Sequence, residues 1–335
     1  MNKIFSLLVL LLTIGCSTVE DEINPENQTP VDVYIAGQKN NQACYWKNNQ
    51  EVLLVNGENT RADTLLVANN VVHVLGKKYL DNWFGEYFYW KDNVQTNLTE
   101  TFGLSGQLLI RITGIEVVGN DVYFVGYTKN PIITAEIYEL AYWKNGIKTV
   151  LAIVNNPTYQ AQIKVVGNDV YVIGNTANCF TICNGVYKNG VFTPVNSLDV
   201  RLIDFAVKNN EVYVYGNNLL TGTGYYKNTA TNAETSIAQN IRKIVFESNA
   251  MYILTYNAIL KEGTAIQTNA APSNGITNYI SFIQDFKVLN ENVYYITSGA
   301  PLNGIPFTLV GINNTTVFES LDNSSNFTGI TIVQN

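Results

Sequence analysis

The stretch VVGNDVYVIG, residues 165–174, is the part of the chain that decides the fold. Its two apolar halves are rich in Val, Ile and Tyr, which favour β-strands. The Gly-Asn-Asp between them favours a tight turn, because Gly and Asn accept a positive φ. The stretch therefore predicts two short strands joined by a polar turn, and variants of it recur along the chain.

The Val-Tyr pair, or a close variant of it, returns at regular intervals. Its second residue is Tyr or, once, His, at positions 34, 73, 123, 171, 213, 252 and 294, so successive copies lie 39 to 50 residues apart. Propeller blades repeat with a period of about 40–50 residues. An alternating strand precedes each pair, and an aromatic strand such as YWKNG at residues 142–146 follows it. Because Asn-Gly suits a hairpin turn into one more strand, each repeat is predicted to hold four strands.

The two ends of the chain are complementary parts of one repeat. The first Val-Tyr strand, residues 32–37, has no alternating strand before it, and residues 328–335 form an alternating strand with no Val-Tyr strand after it. A C-terminal strand that completes the first blade closes a ring and removes exposed sheet edges. The sequence therefore predicts an all-β fold, a seven-bladed β-propeller of four-stranded blades. An open β-solenoid, the alternative, would not need complementary ends.

The composition limits the classes of partner. Of 335 residues, 46% are hydrophobic and only 14% are charged, and the net charge is −7. Nucleic acid is not an expected partner, because a phosphate-binding surface needs clustered Lys and Arg. We expect a monomer without a cofactor or a metal ion.

Residues 1–15 read as a signal peptide. An apolar run at residues 4–14 follows Asn2 and Lys3 and is too short to span a bilayer as a mature helix. It ends in Gly15-Cys16, and a small residue before a cysteine at this point resembles the lipobox of bacterial lipoproteins. That resemblance implies cleavage before Cys16 and lipidation of its thiol. The alternative is an ordinary secretory signal with a chance cysteine.

Residues 16–30 read as a flexible acidic tether, and residues 31–335 as the propeller. The acidic run after Cys16 resembles the surface-export signal of Bacteroidetes-type lipoproteins. The tandem V-Y-V-x-G and Y-W-K-N-G repeats resemble those of exported β-propeller lipoproteins from such bacteria, a family without assigned chemistry. The resemblance implies an outer-membrane lipoprotein, on the cell surface or the periplasmic side, that meets the membrane through its lipid anchor only.

The other cysteines are Cys44, Cys179 and Cys183. Cys179 and Cys183 flank three residues of a predicted loop and could form a disulfide in an oxidising compartment. Cys44 would then be an unpaired, buried thiol. A metal site is not expected, because this spacing is not that of a zinc pair and His73 is the only histidine.

The sequence contains none of the motifs that mark common catalytic sites: a nucleophile elbow, HExxH, a P-loop or a dinucleotide fingerprint. The aromatic residues of the repeats, such as Trp46, Trp90 and Trp143, are expected to pack between blades. Any function should therefore lie where the repeats differ, in the loops and at the mouth of the central channel.

Two long loops carry aromatic residues on the predicted ligand face. Residues 76–86 include Tyr79, Trp83 and Phe84, and residues 126–139 include Tyr127. Trp83 lies outside the repeat pattern, which makes it the best candidate for contact with a partner.

Seven inner-strand positions are predicted to surround the channel mouth: Thr64, Gly114, Gln162, Asp204, Lys243, Asp285 and Gly329. Asp204, Lys243 and Asp285 lie on consecutive blades and form the best polar cluster, unless they are only solvated entrance residues. The sequence thus favours a non-enzymatic binding or scaffold module that recognises a glycan or a protein. The alternative is a polysaccharide hydrolase or lyase that uses Asp204 and Asp285, because a carboxylate pair can be assembled from different blades.

Overall fold

The computed structural model describes residues 30–79, 85–104, 109–129, 137–155, 161–176, 183–195, 200–268, 279–301, 305–321 and 324–335. These residues form seven four-stranded antiparallel sheets and one short helix. The sheets are arranged as blades around a central channel. This confirms the predicted seven-bladed β-propeller.

Within each blade, neighbouring strands in the chain are neighbours in the sheet. Blade 1 contains β1 (Val31–Lys39), β2 (Gln42–Lys47) and β3 (Gln50–Glu58), together with the last strand of the chain, β28 (Ser325–Gln334). Blade 2 contains β4 (Thr60–Ala68), β5 (Val71–Tyr79), β6 (Gly85–Lys91) and β7 (Val94–Asn97). Blade 3 contains β8 (Leu109–Val118), β9 (Asp121–Lys129), β10 (Tyr138–Lys144) and β11 (Ile147–Val154).

The remaining blades follow the same order. Blade 4 contains β12 (Gln162–Val166), β13 (Asp169–Thr176), β14 (Cys183–Lys188) and β15 (Val191–Pro194). Blade 5 contains β16 (Val200–Lys208), β17 (Glu211–Asn218), β18 (Gly224–Asn228) and β19 (Glu234–Ile237). Blade 6 contains β20 (Ile241–Glu247), β21 (Ala250–Thr255), β22 (Ala258–Lys261) and β23 (Thr264–Thr268). Blade 7 contains β24 (Tyr279–Leu289), β25 (Asn292–Pro301), β26 (Phe307–Ile312) and β27 (Thr315–Ser320).

Strand β28 closes the ring as predicted. It pairs antiparallel with β1, from Val31 opposite Gln334 to Lys39 opposite Ser325. It also contacts the next blade, because the hydroxyl of Thr328 donates to the carbonyl oxygen of Ala62 at 2.6 Å. The C-terminal strand is therefore the inner strand of the first blade.

The core lies between the blades. Trp46 is 3% exposed, and Trp90 and Trp143 are fully buried, which confirms the packing role expected of them. The indole Nε1 of Trp90 donates to the carbonyl oxygen of Val55, on the outer strand of the preceding blade, at 2.8 Å. Neighbouring blades are thus joined by aromatic packing and by a hydrogen bond that satisfies the buried donor.

The short helix α1 (Leu98–Thr101) was not expected from the sequence. Asn97 caps it, with its side-chain oxygen accepting from the backbone N–H groups of Thr99 and Glu100. The turn after the helix places Phe102 flat on Trp143, with ring centroids 4.6 Å apart. The residue that ends the helix thus covers one face of that indole ring.

The recurring Asp, Tyr, Lys and Asn of the repeat form one structural unit, which we call the turn bracket. In blade 3, Asp121 accepts a hydrogen bond from the Asn145 amide at 2.7 Å and pairs with the Lys144 ammonium at 2.7 Å. Asn145 in turn accepts from the backbone N–H of Val122 at 2.9 Å, and Lys144 lies over the Tyr123 ring. The bracket therefore ties the two turns of the blade together. The same contacts occur in blades 1 and 4, around Asp32, Lys47, Asn48, Asp169, Lys188 and Asn189.

The turn brackets predict how the stability of the folded protein depends on pH. The Lys144 and Asn145 hydrogen bonds lower the pKa of Asp121 below its ordinary value of 3.8, and Asp32 and Asp169 shift in the same direction for the same reason. A lowered pKa stabilises the folded state fully above pH 3.8, and this contribution is lost as the pH falls through the lowered value. We expect the triple variant Asp32→Asn, Asp121→Asn, Asp169→Asn to show a flatter loss of stability below that pH, measured by urea unfolding. The same loss of stability with falling pH in the variant and in the parent chain would contradict this.

Cys44 is a free cysteine and is fully buried, as expected. Burial raises the pKa of its thiol to about 12, so the thiol is inert at neutral pH. Cys179 and the side chain of Cys183 lie outside the described residues, and their disulfide stays a prediction. Among the described residues, no helix has the length and apolar character needed to cross a membrane.

Candidate functional site

The inner strands change register where they reach the channel mouth. The pairing of β16 with β17 skips one residue between Leu202 and Asp204, which is a β-bulge. The same shift occurs next to Thr64, Gly114, Lys243, Asp285 and Gly329. A bulge turns consecutive side chains toward the same region, so pairs such as Arg242-Lys243 and Gln284-Asp285 both line the channel.

The mouth opens into a cavity of about 480 Å³, within the range typical of small-ligand sites. All seven positions predicted from the sequence line it: Thr64, Gly114, Gln162, Asp204, Lys243, Asp285 and Gly329. A second cavity of about 190 Å³ shares Leu66, Glu116, Lys287 and Thr331 with the first. The two cavities therefore adjoin the same side chains, and we call the level of these shared residues the channel waist.

Asp204 is held by the protein itself. One carboxylate oxygen accepts from the backbone N–H of Phe205 at 2.7 Å, and the other accepts from the Tyr215 hydroxyl at 3.2 Å. Burial raises the pKa of Asp204 above its ordinary value, although the nearby Lys164 opposes this shift. Asp204 is thus a positioned carboxyl group whose charge is disfavoured by its surroundings.

Asp285 and Lys243 form an ion pair across adjacent blades. The Lys243 Nζ lies 2.5 Å from one carboxylate oxygen of Asp285 and also donates to the carbonyl oxygen of Phe286. The other oxygen of Asp285 accepts from the backbone N–H of Ile330, in the closing strand β28, at 3.0 Å. Burial would raise the pKa of Asp285, but the Lys243 and Lys287 charges outweigh it, so the pKa is lowered. The cluster predicted from the sequence therefore contains one tight pair and one separate carboxyl group.

A row of side chains leads outward from the mouth, and we call it the aromatic ledge. It consists of Arg242, Phe282 and Tyr256. The guanidinium of Arg242 lies over the Phe282 ring, 5.3 Å from its centroid, and donates to the carbonyl oxygens of Ile283 and Gln284. Tyr256 also packs against Phe282, with ring centroids 5.6 Å apart, and is 50% exposed. Exposed apolar side chains at the same end of blades 5 and 7 include Leu219, Leu220, Ile280 and Ile305. The sequence reasoning missed this ledge, because Tyr256 lies in the short loop after β21.

Three charged side chains at the waist were also missed. Glu116, Lys164 and Lys287 each lie two residues beyond a mouth position, on β8, β12 and β24. Because strand side chains alternate with a period of two, residue i+2 faces the same way as residue i. The signal was therefore present in the sequence, next to Gly114, Gln162 and Asp285.

The loop aromatics have mixed outcomes. Trp83 and Phe84 lie outside the described residues, and Tyr79 ends strand β5 with a side chain that is likewise not described. The placement of Tyr127 in a ligand-contacting loop was wrong. β9 continues past Gly126 to Lys129, and Tyr127 is fully buried, with its hydroxyl donating to the Asn175 side chain at 3.2 Å.

Comparison with known proteins shows the fold alone. No protein-family model matches the chain, and no curated protein matches it. Among solved structures, it is similar to a prolyl endopeptidase, with a TM-score of 0.51 and 11% identity over 91% of this chain and 50% of that chain. It is also similar to the β-propeller domain of the Trilobed protease from Pyrococcus furiosus, with a TM-score of 0.51 and 9% identity over 87% of this chain and 91% of that chain.

The β-propeller fold is thus shared with propeller domains of peptidases. This chain spans half the length of the prolyl endopeptidase chain that it matches. The Pyrococcus propeller is described as having an open velcro topology, whereas here β28 pairs with β1 and closes the ring.

Proposed function

We propose that this chain is a binding module that recognises a glycan or a protein on the propeller face that carries the channel mouth. The observation that supports it most is the ledge of Tyr256, Phe282 and Arg242, which runs into a polar cavity of about 480 Å³. A half-exposed ring beside fixed polar groups suits a sugar, which offers one apolar face and several hydroxyl groups. A rigid, preformed site of this kind favours recognition because little entropy is lost on binding.

The hydrogen bonds of the two carboxylates at the mouth also support a binding function. Both oxygens of Asp204 and both oxygens of Asp285 accept hydrogen bonds from the protein. These bonds hold the mouth in shape, and Asp285 joins its own blade to β28. Their first role is therefore to build the site.

Tyr256 provides the test of this proposal. Purified residues 31–335 are applied to a panel of bacterial and host glycans, and bound ligands are titrated by calorimetry. Since loss of an aromatic contact costs roughly 1–2 kcal/mol or more, we expect Tyr256→Ala to weaken binding at least about fivefold. Tyr256→Phe, which keeps the ring, should retain binding, and Ile147→Ala, on the exposed outer edge of blade 3, serves as the surface control.

Ligand binding unchanged in Tyr256→Ala would remove the ledge from the site. The double variant Trp83→Ala, Phe84→Ala is a separate arm that tests the loop between β5 and β6. Loss of binding in that arm alone would place the site on that loop instead.

A second candidate function is a polysaccharide hydrolase or lyase. One observation favours it: the pKa of Asp204 is raised and the pKa of Asp285 is lowered, and such a split is how enzymes separate an acid from a base. Release of reducing sugar or unsaturated product from any glycan of the panel, abolished by Asp204→Asn, would establish this reading over binding alone.

We also propose that the module is displayed on the outer membrane as a lipoprotein anchored through Cys16. This proposal rests on the sequence signal at residues 1–16 and on the acidic tether that follows it. The parent chain, expressed in a Bacteroidetes-type host, should incorporate labelled palmitate and sediment with membranes. Cys16→Ser should lose both properties, whereas Cys44→Ser, a matched thiol loss, should keep the label. Protease treatment of intact cells then separates the cell surface from the periplasmic side.

A further inference from the structure

The charged side chains of the channel fall into two sets. One set is bonded to the protein: Asp63 to Arg61, Lys243 to Asp285, Arg242 to two carbonyl oxygens, and Asp204 to Tyr215. The other set is Glu116, Lys164 and Lys287, at the waist. Within the described part of the chain, these three side chains have no hydrogen bond and no ion pair within 4.0 Å.

These three side chains come from blades that lie apart in the ring. Glu116 is on β8, Lys164 on β12 and Lys287 on β24, and all three line the same cavity. Since their strands surround the channel, their side chains converge on it from different directions. Among the described residues, they are the charged side chains of the channel lining that are available to bind a ligand.

Two ammonium groups in a confined channel repel one another. Lys287 faces Lys243, Lys164, Asp285 and Glu116, and the Lys243 charge together with burial lowers its pKa to about 8. The pKa of Lys164 shifts the opposite way. Burial alone would lower it, but the negative charges of Asp204, Glu116 and Asp285 outweigh burial and raise it. A partly buried charge without a partner is disfavoured, and an added anion would offset that cost.

We propose that the channel waist binds the oxyanion group of a ligand, a carboxylate or a phosphate, between Lys164 and Lys287. Two ammonium groups supply up to six N–H donors for such a group. Glu116 accepts from a neighbouring hydroxyl or amine of the same ligand. The inference rests on the proposed binding function and narrows it to acidic ligands, such as a glycan that contains uronic acid or phosphate.

The test uses three defined probes: galacturonate, inorganic phosphate and neutral galactose. The lysines of residues 31–335 are labelled with 13C at Cε, which leaves their ammonium groups unmodified, and their Cε signals are followed by NMR. Lys164→Gln and Lys287→Gln assign the two waist signals. Lys91→Gln, at the exposed end of β6, is the matched control with the same charge change.

We expect galacturonate, phosphate or both to shift the Lys164 and Lys287 signals and to raise the apparent pKa of Lys287, while galactose does neither. Each waist variant should weaken anion binding at least about tenfold, and Lys91→Gln should leave it unchanged. Tighter galacturonate binding assigns a carboxylate ligand, and tighter phosphate binding assigns a phosphorylated one.

The proposal is overturned if neither anion shifts the two signals, or if Lys91→Gln weakens binding as much as the waist variants do. It is also overturned if ligands from the glycan panel bind the waist variants as tightly as the parent chain. In that last case the proposed binding function stands and only the anion site fails.

Discussion

A chain that lacks residues 327–335 is expected to lose the closed ring and to melt far below the full chain. These residues form most of β28, which is the inner strand of blade 1 and pairs with β1 along its length. Phe327 and Ile330 are buried between blades, and the hydroxyl groups of Thr328 and Thr331 bond to β4. Their removal exposes one edge of β1 and opens the contact between blades 1 and 7. Thermal unfolding followed by circular dichroism measures the effect.

A single substitution tests the same closure without truncation. Phe327 is fully buried and packs edge-on against Trp46, with ring centroids 4.7 Å apart. Phe→Ala changes in a core typically cost about 3–5 kcal/mol, and we expect Phe327→Ala to lower the free energy of unfolding by that amount. Ile147→Ala, at a side chain 74% exposed, should change it by less than about 0.5 kcal/mol. Similar losses for the two variants would show that β28 does not close a packed blade.

Gly126→Ala is expected to destabilise the protein by about 3 kcal/mol or more. Gly126 is the glycine of the V-Y-V-x-G motif in blade 3 and lies opposite Ile112, next to the bulge. A Cβ atom built there would lie far inside van der Waals contact with the backbone carbonyl oxygen of Arg111. Because that atom is backbone, relief requires the strand to move. Urea unfolding of the variant measures the loss.

Gly329→Ala is the matched control for this prediction. A Cβ atom there meets its nearest neighbours at 3.6 and 3.7 Å, which is ordinary contact. In blades 6 and 7, the position that Gly126 has in blade 3 is occupied by Thr255 and Thr297, each next to a bulge. Gly126 is therefore required by the close carbonyl oxygen of Arg111 in its own blade and not by the bulge in general. Equal stability of Gly126→Ala and Gly329→Ala would contradict this account.

The sequence predicted the ring because the signals for it are local and repeated. Strand alternation, the Asn-Gly turn at residues 145–146 and the complementary ends each follow from residue type and spacing. The turn is observed with positive φ at both Asn145 and Gly146. The turn brackets, in contrast, join residues about 20 positions apart, and residue type alone does not show that Lys144 meets Asp121.

The bulges explain most of what the sequence did not show at the mouth. A bulge adds one residue to a strand without any residue type that marks it in this chain, since the extra residues include Asp63, Ile203 and Arg242. Alternation alone therefore gives only one residue of each mouth pair. Tyr127 was misplaced for a related reason, because a glycine was taken as the end of a strand that continues for three more residues.

Recognition by the channel face is expected to leave the ligand chemically unchanged, and recovery of the bound glycan measures this. Residues 31–335 are incubated at high concentration with each glycan that they bind, and the recovered glycan is analysed by mass spectrometry. We expect every bound glycan to be recovered intact, in the same amount with the parent chain as with Asp204→Asn. Cleaved product that accumulates with the parent chain and disappears with Asp204→Asn would contradict it.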